Sequence, residues 1–273
     1  MFIHCGSFHL DLSRPLVMGI VNVTPDSFSD GGRHLMRDAA LAHAQQLILE
    51  GADILDIGGE STRPGAASVS VQEELDRVLP LLEALRGAPV PLSIDTCKAE
   101  VMREALAAGV HMVNDIDALQ QPAALAAVVN SDAAVCLMHK QGIPQTMQRE
   151  PVYADVVAEV QDFLRSRVAA VRAAGVAQER IVVDPGFGFG KTLAHNLGML
   201  RQLDEFCSLG VPVLAGLSRK SMLGAITGQD VDHRIHASVA AALLAVQRGA
   251  SIVRVHDVRA TVDALKVWNA VNE

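Results

Sequence analysis

The stretch Pro91-Leu92-Ser93-Ile94-Asp95-Thr96, a helical run from Ala99 to Ala108, then Gly109 and His111-Met112-Val113-Asn114-Asp115-Ile116 carries the plan of the whole chain. A short apolar run gives way to an Ala- and Leu-rich segment with helical spacing. A glycine stands where the helix must stop, and a second apolar run follows. This is the alternation expected of a βαβ unit that feeds a buried parallel sheet.

The same unit recurs on both sides. Candidate strands at Leu16 to Val23, Asp53 to Gly59, Ala134 to His139, Ile181 to Gly186, Val213 to Ser218 and Ser251 to Asp257 bring the count to eight. Between them lie helical patterns at Asp38 to Glu50, Val71 to Leu85, Ala154 to Ala174, Leu193 to Leu203, Ile235 to Arg248 and Ala260 to Val271. Gly51, Gly87, Gly109, Gly175 and Gly249 sit where helices should end and turn into the next strand. The expected fold is α/β, a single (β/α)8 TIM barrel spanning residues 1–273 as one domain. Two short runs around Gly6-Ser7, within Phe2 to Leu12, predict an N-terminal β-hairpin at the bottom of the barrel.

The chain has 273 residues, half of them apolar, which is enough for one large core. Its 23 basic against 31 acidic residues give a net charge of -8, which argues against nucleic-acid and membrane-surface partners. Cys5, Cys97, Cys136 and Cys207 form no CxxC pair, so neither a zinc site nor a disulfide framework is expected. With no signal peptide and no apolar run long enough to span a bilayer, a cytoplasmic location is expected.

Polar residues at the C-terminal ends of barrel strands face the ligand. Here they are Asn22, Glu60 with Thr62 and Arg63, Asp95, Asn114 with Asp115, His139, Asp184, Lys220, and Arg254 with His256. Any one of them is equally a capping or turn residue on a surface loop; the joint pattern points to a site. Asp95 and Asp184 end apolar strands, where an unpaired carboxylate is costly, so each needs a ligand donor or a cation such as Lys220. Two carboxylates and an amide suit a flat heterocycle with several N–H donors and carbonyl acceptors. Asn22, Arg63, Arg254 and His256 would gather donors around a phosphate or pyrophosphate.

The run from Asp184 to Thr192 ends in Gly190-Lys191-Thr192, but a phosphate loop needs glycine where Pro185 stands. Its glycines are expected to let the backbone turn sharply and pass close to a ligand. Ser221 is either a helix-start donor to a carboxylate or a simple cap. His233 and His236 have metal-like spacing without a third ligand, and nothing around His139 supports a hydrolase triad.

Asn22-Val23-Thr24-Pro25-Asp26-Ser27-Phe28-Ser29-Asp30-Gly31-Gly32 resembles the first signature of the dihydropteroate synthases, and Asp56-Ile57-Gly58-Gly59-Glu60-Ser61-Thr62-Arg63-Pro64-Gly65 the second. Asp184 to Lys191, Ser218 to Ser221 and Arg254 to Asp257 resemble three later ones. The resemblance implies condensation of 6-hydroxymethyl-7,8-dihydropterin pyrophosphate with p-aminobenzoate, with Mg²⁺ at Asn22. It places Asp95, Asn114, Met138, Asp184, Phe189, Lys220 and Arg254 at the pterin, and Asn22, Thr62, Arg63, Arg254 and His256 at the pyrophosphate. Phe28, Thr62, Arg63, Pro64, Lys220 and Ser221 fall at the p-aminobenzoate, with Lys220, Arg254, His256, Asp95 and Asp184 as the catalytic set. It further implies a homodimer, sulfonamide inhibition, and first and second loops that close over bound pterin. The competing relatives are pterin-binding methyltransferases with the same barrel, and a pterin binder without turnover.

Overall fold

In the computed structural model, residues 1–24, 33–61, 68–142, 146–148 and 150–272 are described, with backbone alone at 33–36. Two antiparallel strands open the chain, β1 (Phe2–Cys5) and β2 (Phe8–Asp11). Then come β3 (Leu16–Asn22), α1 (Arg33–Glu50), β4 (Ile54–Gly58), α2 (Val71–Ala84), β5 (Leu92–Asp95), α3 (Ala99–Ala107), β6 (Met112–Asp115), α4 (Pro122–Val129) and β7 (Ala134–Met138). The second half runs through α5 (Val156–Ala173), β8 (Ile181–Asp184), α6 (Leu193–Arg201), α7 (Asp204–Cys207), β9 (Leu214–Ala215), α8 (Ser221–Thr227), α9 (Ile235–Gln247), β10 (Ile252–Val255) and α10 (Val258–Asn272).

The eight strands β3 to β10 pair in parallel in the order β8-β7-β6-β5-β4-β3-β10-β9, and a bridge between Val183 and Val213 joins the two ends. That closes the barrel. The strand expected over Val213 to Ser218 shortens to two residues, because after Ala215 the chain lifts away from its neighbours into the Ser218–Lys220 turn. The five glycines read as helix stops all adopt positive φ, between 84° and 108°, so the punctuation seen in the sequence is left-handed backbone.

Alternation along the strands sorts the interior from the jacket. Val17, Val21, Leu55, Ile57, Ile94, Val113, Val135, Val183 and Val253 pack outward against the helices. Leu16, Met18, Ile54, Met112, Ala134, Cys136, Val182, Leu214 and Ile252 fill the lower interior, joined there by Ile3 and Cys5 of the first hairpin. The expected hairpin is thus present and stops the lower mouth, with Gly6 N donating to Asp132 O at 3.1 Å. With the floor sealed, ligands enter from the C-terminal ends of the strands. Further along five of the strands the inward positions turn polar, at Asp56, Asp95, Asn114, Asp184 and Arg254.

Candidate active site

Two glycines open the upper interior. A side chain at Gly58 would meet Asp95 Oδ2 and Asn22 Oδ1, each at 3.8 Å, and one at Gly216 would meet Asp184 Oδ2 at 3.8 Å and Arg254 Cβ at 3.9 Å. Their missing Cβ atoms leave a slot whose walls are the residues singled out in the sequence. Met138, buried and paired in register with Asp184, supplies an apolar surface beside it.

The floor of the slot is an ion cluster. Arg254 donates from Nε to Asp56 Oδ2 at 2.6 Å and from Nη2 to Asp95 Oδ2 at 2.7 Å. Asn114 Nδ2 donates to the same Asp56 oxygen at 3.0 Å, which turns the Asn114 carbonyl oxygen away from Asp56. Asp56 has no exposed surface, and among the described residues neither its Oδ1 nor Asp95 Oδ1 has a hydrogen-bond partner. Burial raises the Asp95 pKa above the ordinary carboxylate range, with Arg254 working against the shift. Burial also works against the charge on Arg254, but Asp56 and Asp95 more than offset it and raise its pKa.

The cation that Asp95 needs is therefore Arg254, where the sequence offered Lys220 as an example. Asp184 accepts from Gly186 N at 2.7 Å, and burial raises its pKa against the pull of Gly186 and Lys220. Lys220 donates to the Phe187 carbonyl and lies 4.2 Å from the centroid of the Phe189 ring. Burial lowers its pKa to about 8, with Asp184 opposing the shift.

At the rim, Ser218 Oγ accepts from His256 N at 3.2 Å and lies 3.0 Å from His256 Nδ1. Arg219 holds the turn beneath: its backbone is left-handed at φ 57°, its guanidinium grips Asp257 at 3.0 and 2.6 Å, and its N–H donates to Ser238 Oγ at 2.9 Å. Packing against Asp257 and Ser238 offsets the cost of that backbone strain.

Three of the expected strand-end residues, Asp115, His139 and Glu60, lie elsewhere. Asp115 points away from the slot and caps its own turn, accepting from Asp117 N and Leu119 N, each at 2.8 Å. His139 turns toward Lys191 and the edge of Phe163. Glu60 pairs with Lys98 at 2.5 Å, and Lys98 pairs also with buried Glu74. Ser221 is exposed as the first residue of α8, whose cap position belongs to Lys220. His233 is an exposed partner of Asp230, and among the described residues no group of three His, Cys, Asp or Glu could hold a metal. Phe28, Thr62, Arg63 and Pro64 lie outside the described residues, as does most of each loop expected to close. Asp56, Ser218 and Arg219 were within quoted motifs but carried no assigned role; for Asp56 the inward parity of β4 was the available signal.

A closed barrel whose glycine-opened mouth gathers two carboxylates, an amide and a lysine defines a binder of a flat, multiply hydrogen-bonding ring. A family model described as pterin binding enzyme matches residues 18–256. The dihydropteroate synthase of Haemophilus influenzae is 53% identical over 271 residues, covering 99% of this chain and 98% of that protein. The Xanthomonas albilineans dihydropteroate synthase solved with 4-aminobenzoic acid superposes with a TM-score of 0.94 at 56% identity, over 99% of this chain and 98% of that one. The Burkholderia cenocepacia dihydropteroate synthase complexed with 7,8-dihydropteroate gives 0.91 at 55% identity, over 99% and 96%. The chain belongs to the pterin binding enzyme family and, within it, to the dihydropteroate synthases, transferases of the folate pathway.

Proposed function

We propose that this chain joins 6-hydroxymethyl-7,8-dihydropterin pyrophosphate to p-aminobenzoate, giving 7,8-dihydropteroate and pyrophosphate, with the pterin lying in the slot between Gly58 and Gly216. The observation that carries the placement is the unpartnered Asp95 Oδ1, buried beside Arg254 in a slot also walled by Asp184. A buried carboxylate oxygen without a donor favours a ligand that brings an N–H to it. Asp184, the Asn114 carbonyl and the Lys220 ammonium supply the remaining acceptors and donor, with Met138 and Phe189 as apolar surfaces.

The path is SN1-like. The bond from the pterin methylene to the pyrophosphate oxygen breaks with its electron pair leaving on pyrophosphate, and the electron-rich ring shares the positive charge. Asp95 and Asp184 stabilise that charge from within a dry site, where fixed charges act strongly. The neutral arylamine then forms the new C–N bond and loses a proton, so no general base is required beforehand. His256 and Asn22 face the leaving group at the junction of β10 and β3, with Thr62 and Arg63 completing the anion site. Phe28, Pro64 and Ser221 line the arylamine pocket, with Lys220 serving both substrates.

Asn22 offers one amide oxygen at the end of β3, beside the position a Gly58 side chain would take. One oxygen fits a Mg²⁺ ion held mainly by substrate phosphates and water, its usual mode. Bound there with the pyrophosphate, it would neutralise charge on the leaving group. A cytoplasmic homodimer inhibited by sulfonamides completes the reading: all four cysteines are free thiols, and among the described residues no helix is long and apolar enough to cross a membrane.

The test is a coupled pyrophosphate-release assay with both substrates. Pyrophosphate formed only when both are present, with dihydropteroate as product, supports the reading; methyl transfer from a methylated folate to a corrinoid, or pterin binding without turnover, overturns it. In the same assay kcat/KM should follow a bell-shaped pH profile, which reports groups of the free enzyme. Lys220 loses its proton as pH rises through about 8, setting the alkaline limb. Asp95 and Asp184 gain protons as pH falls, and because burial raises both, the acid limb lies above the ordinary carboxylate range. A profile flat from pH 5 to pH 9 excludes these assignments.

A further inference from the structure

Lys191 ends the glycine run that fails as a phosphate loop, and the reaction above makes no use of it. It is 3% exposed. Its Nζ donates to Gly186 O at 2.9 Å, Phe189 O at 3.1 Å and His139 O at 3.4 Å, and lies 3.0 Å from His139 Nδ1. Burial brings the His139 pKa down to about 3, so the ring is neutral and Nδ1 accepts; four acceptors then share three ammonium N–H groups, and the 3.4 Å contact to His139 O is the weakest. Burial works against the charge of Lys191 and lowers its pKa to about 7, with Asp184 opposing the shift, so the ammonium form depends on this ring of acceptors.

The turn it grips leaves almost no freedom. Gly186, Gly188 and Gly190 have φ of 72°, 79° and 64°. A side chain at Gly186 would come within 1.9 Å of His139 O, one at Gly190 within 2.3 Å of Gln141 O, and one at Gly188 within 2.9 Å of Lys220 Cδ. One side of the turn is therefore pressed on the end of β7 and the other on Lys220. The carbonyls of Gly186 and Phe189 point to Lys191 while that of Phe187 accepts from Lys220, so the two lysines read opposite sides of one backbone loop.

We propose that Lys191 is a positioning residue for Lys220: its ammonium, seated among the Gly186, Phe189 and His139 carbonyls, holds the turn in the shape that presents the Phe187 carbonyl and the Phe189 ring to Lys220. Without a cation, three carbonyl dipoles converge around the space the lysine leaves, and the turn must rearrange to separate them. The shift reaches Lys220 directly through Gly188 and Phe187. The inference rests on the role given to Lys220 in the proposed reaction.

The experiment is chemical rescue of Lys191→Ala, which deletes the three carbons and nitrogen that n-propylammonium resupplies. At saturating substrates kcat should fall about 100-fold, the scale of a misplaced catalytic group. n-Propylammonium should restore it saturably, and tetramethylammonium, which has no N–H, should not. A wild-type kcat per folded molecule, or a loss that n-propylammonium leaves unchanged, overturns the proposal. Should K191A fail to fold, K191M keeps the apolar stem and removes only the donors; its kcat per folded molecule should drop by a similar factor, and an unchanged kcat overturns the proposal. Lys220→Ala measured alongside separates the two readings. Full activity there removes the role of Lys220, whereas an inactive K220A beside a normal K191A removes only that of Lys191.

Discussion

Lys220→Ala should lower kcat/KM for the condensation by about 1000-fold, the upper range for deleting one donor from a preorganised electrostatic site, while shifting Tm by no more than a few degrees. The two halves of this expectation have one cause. Burial depresses the Lys220 pKa to about 8, so the folded protein holds this ammonium at a cost. Removing it relieves that cost and gives up the Phe187 carbonyl contact and the approach to Phe189. Asp184 keeps its own donor in Gly186 N. Chemistry loses the cation that faces both the pterin and the arylamine. Steady-state kinetics beside a thermal melt reads both quantities; a Tm drop of more than about 10 °C with modest kinetic loss would make Lys220 a structural residue instead.

The barrel was legible because its signals are local. Each strand is bounded by a helix and a glycine stop, and Gly51, Gly87, Gly109, Gly175 and Gly249 adopt the backbone that only the punctuation reading required. Asp95, Asn114 and Asp184 were found for the same reason, as polar ends of apolar runs. Proximity to a strand end is a weaker guide than parity. Asp115 follows inward Asn114 and His139 follows inward Met138, so the pleat sends both outward, one into a turn and the other to Lys191. Asp56 was hidden differently. It shares a face with Gly58 and was within reach of a period-two reading, but its partner Arg254 stands 198 residues away, and only closure of the barrel brings them together. Where a carboxylate's counter-ion comes from another part of the chain, the sequence shows the need for a partner without its identity.

Asp56→Asn tests that hidden contact, and it should damage stability and catalysis together. The carboxylate accepts from Arg254 and Asn114 through one oxygen, with no exposed surface. An amide oxygen in the same place can still accept both hydrogen bonds, but it brings no charge to Arg254, and its NH2 group takes the buried place of Oδ1, which has no hydrogen-bond partner among the described residues; Arg254 is left with Asp95 as its ion-pair partner. Breaking a buried ion pair by removing one member costs about 3–5 kcal/mol, which in a chain of this size lowers Tm by roughly 10 °C. Catalysis falls by a separate route. Arg254 turns its charge toward Asp95, which drops that carboxylate's pKa and draws it from the pterin. A loss in kcat/KM of about 100-fold is expected, of the order set by misaligned substrate contacts. Thermal melts of Asp56→Asn, Arg254→Met and the double variant separate pair from site. With Arg254 absent, the Asp56 carboxylate has no cation to serve, so D56N should then cost little or even stabilise. A double variant whose Tm loss equals the sum of the singles would show the two side chains uncoupled, and the floor of the slot would need another explanation.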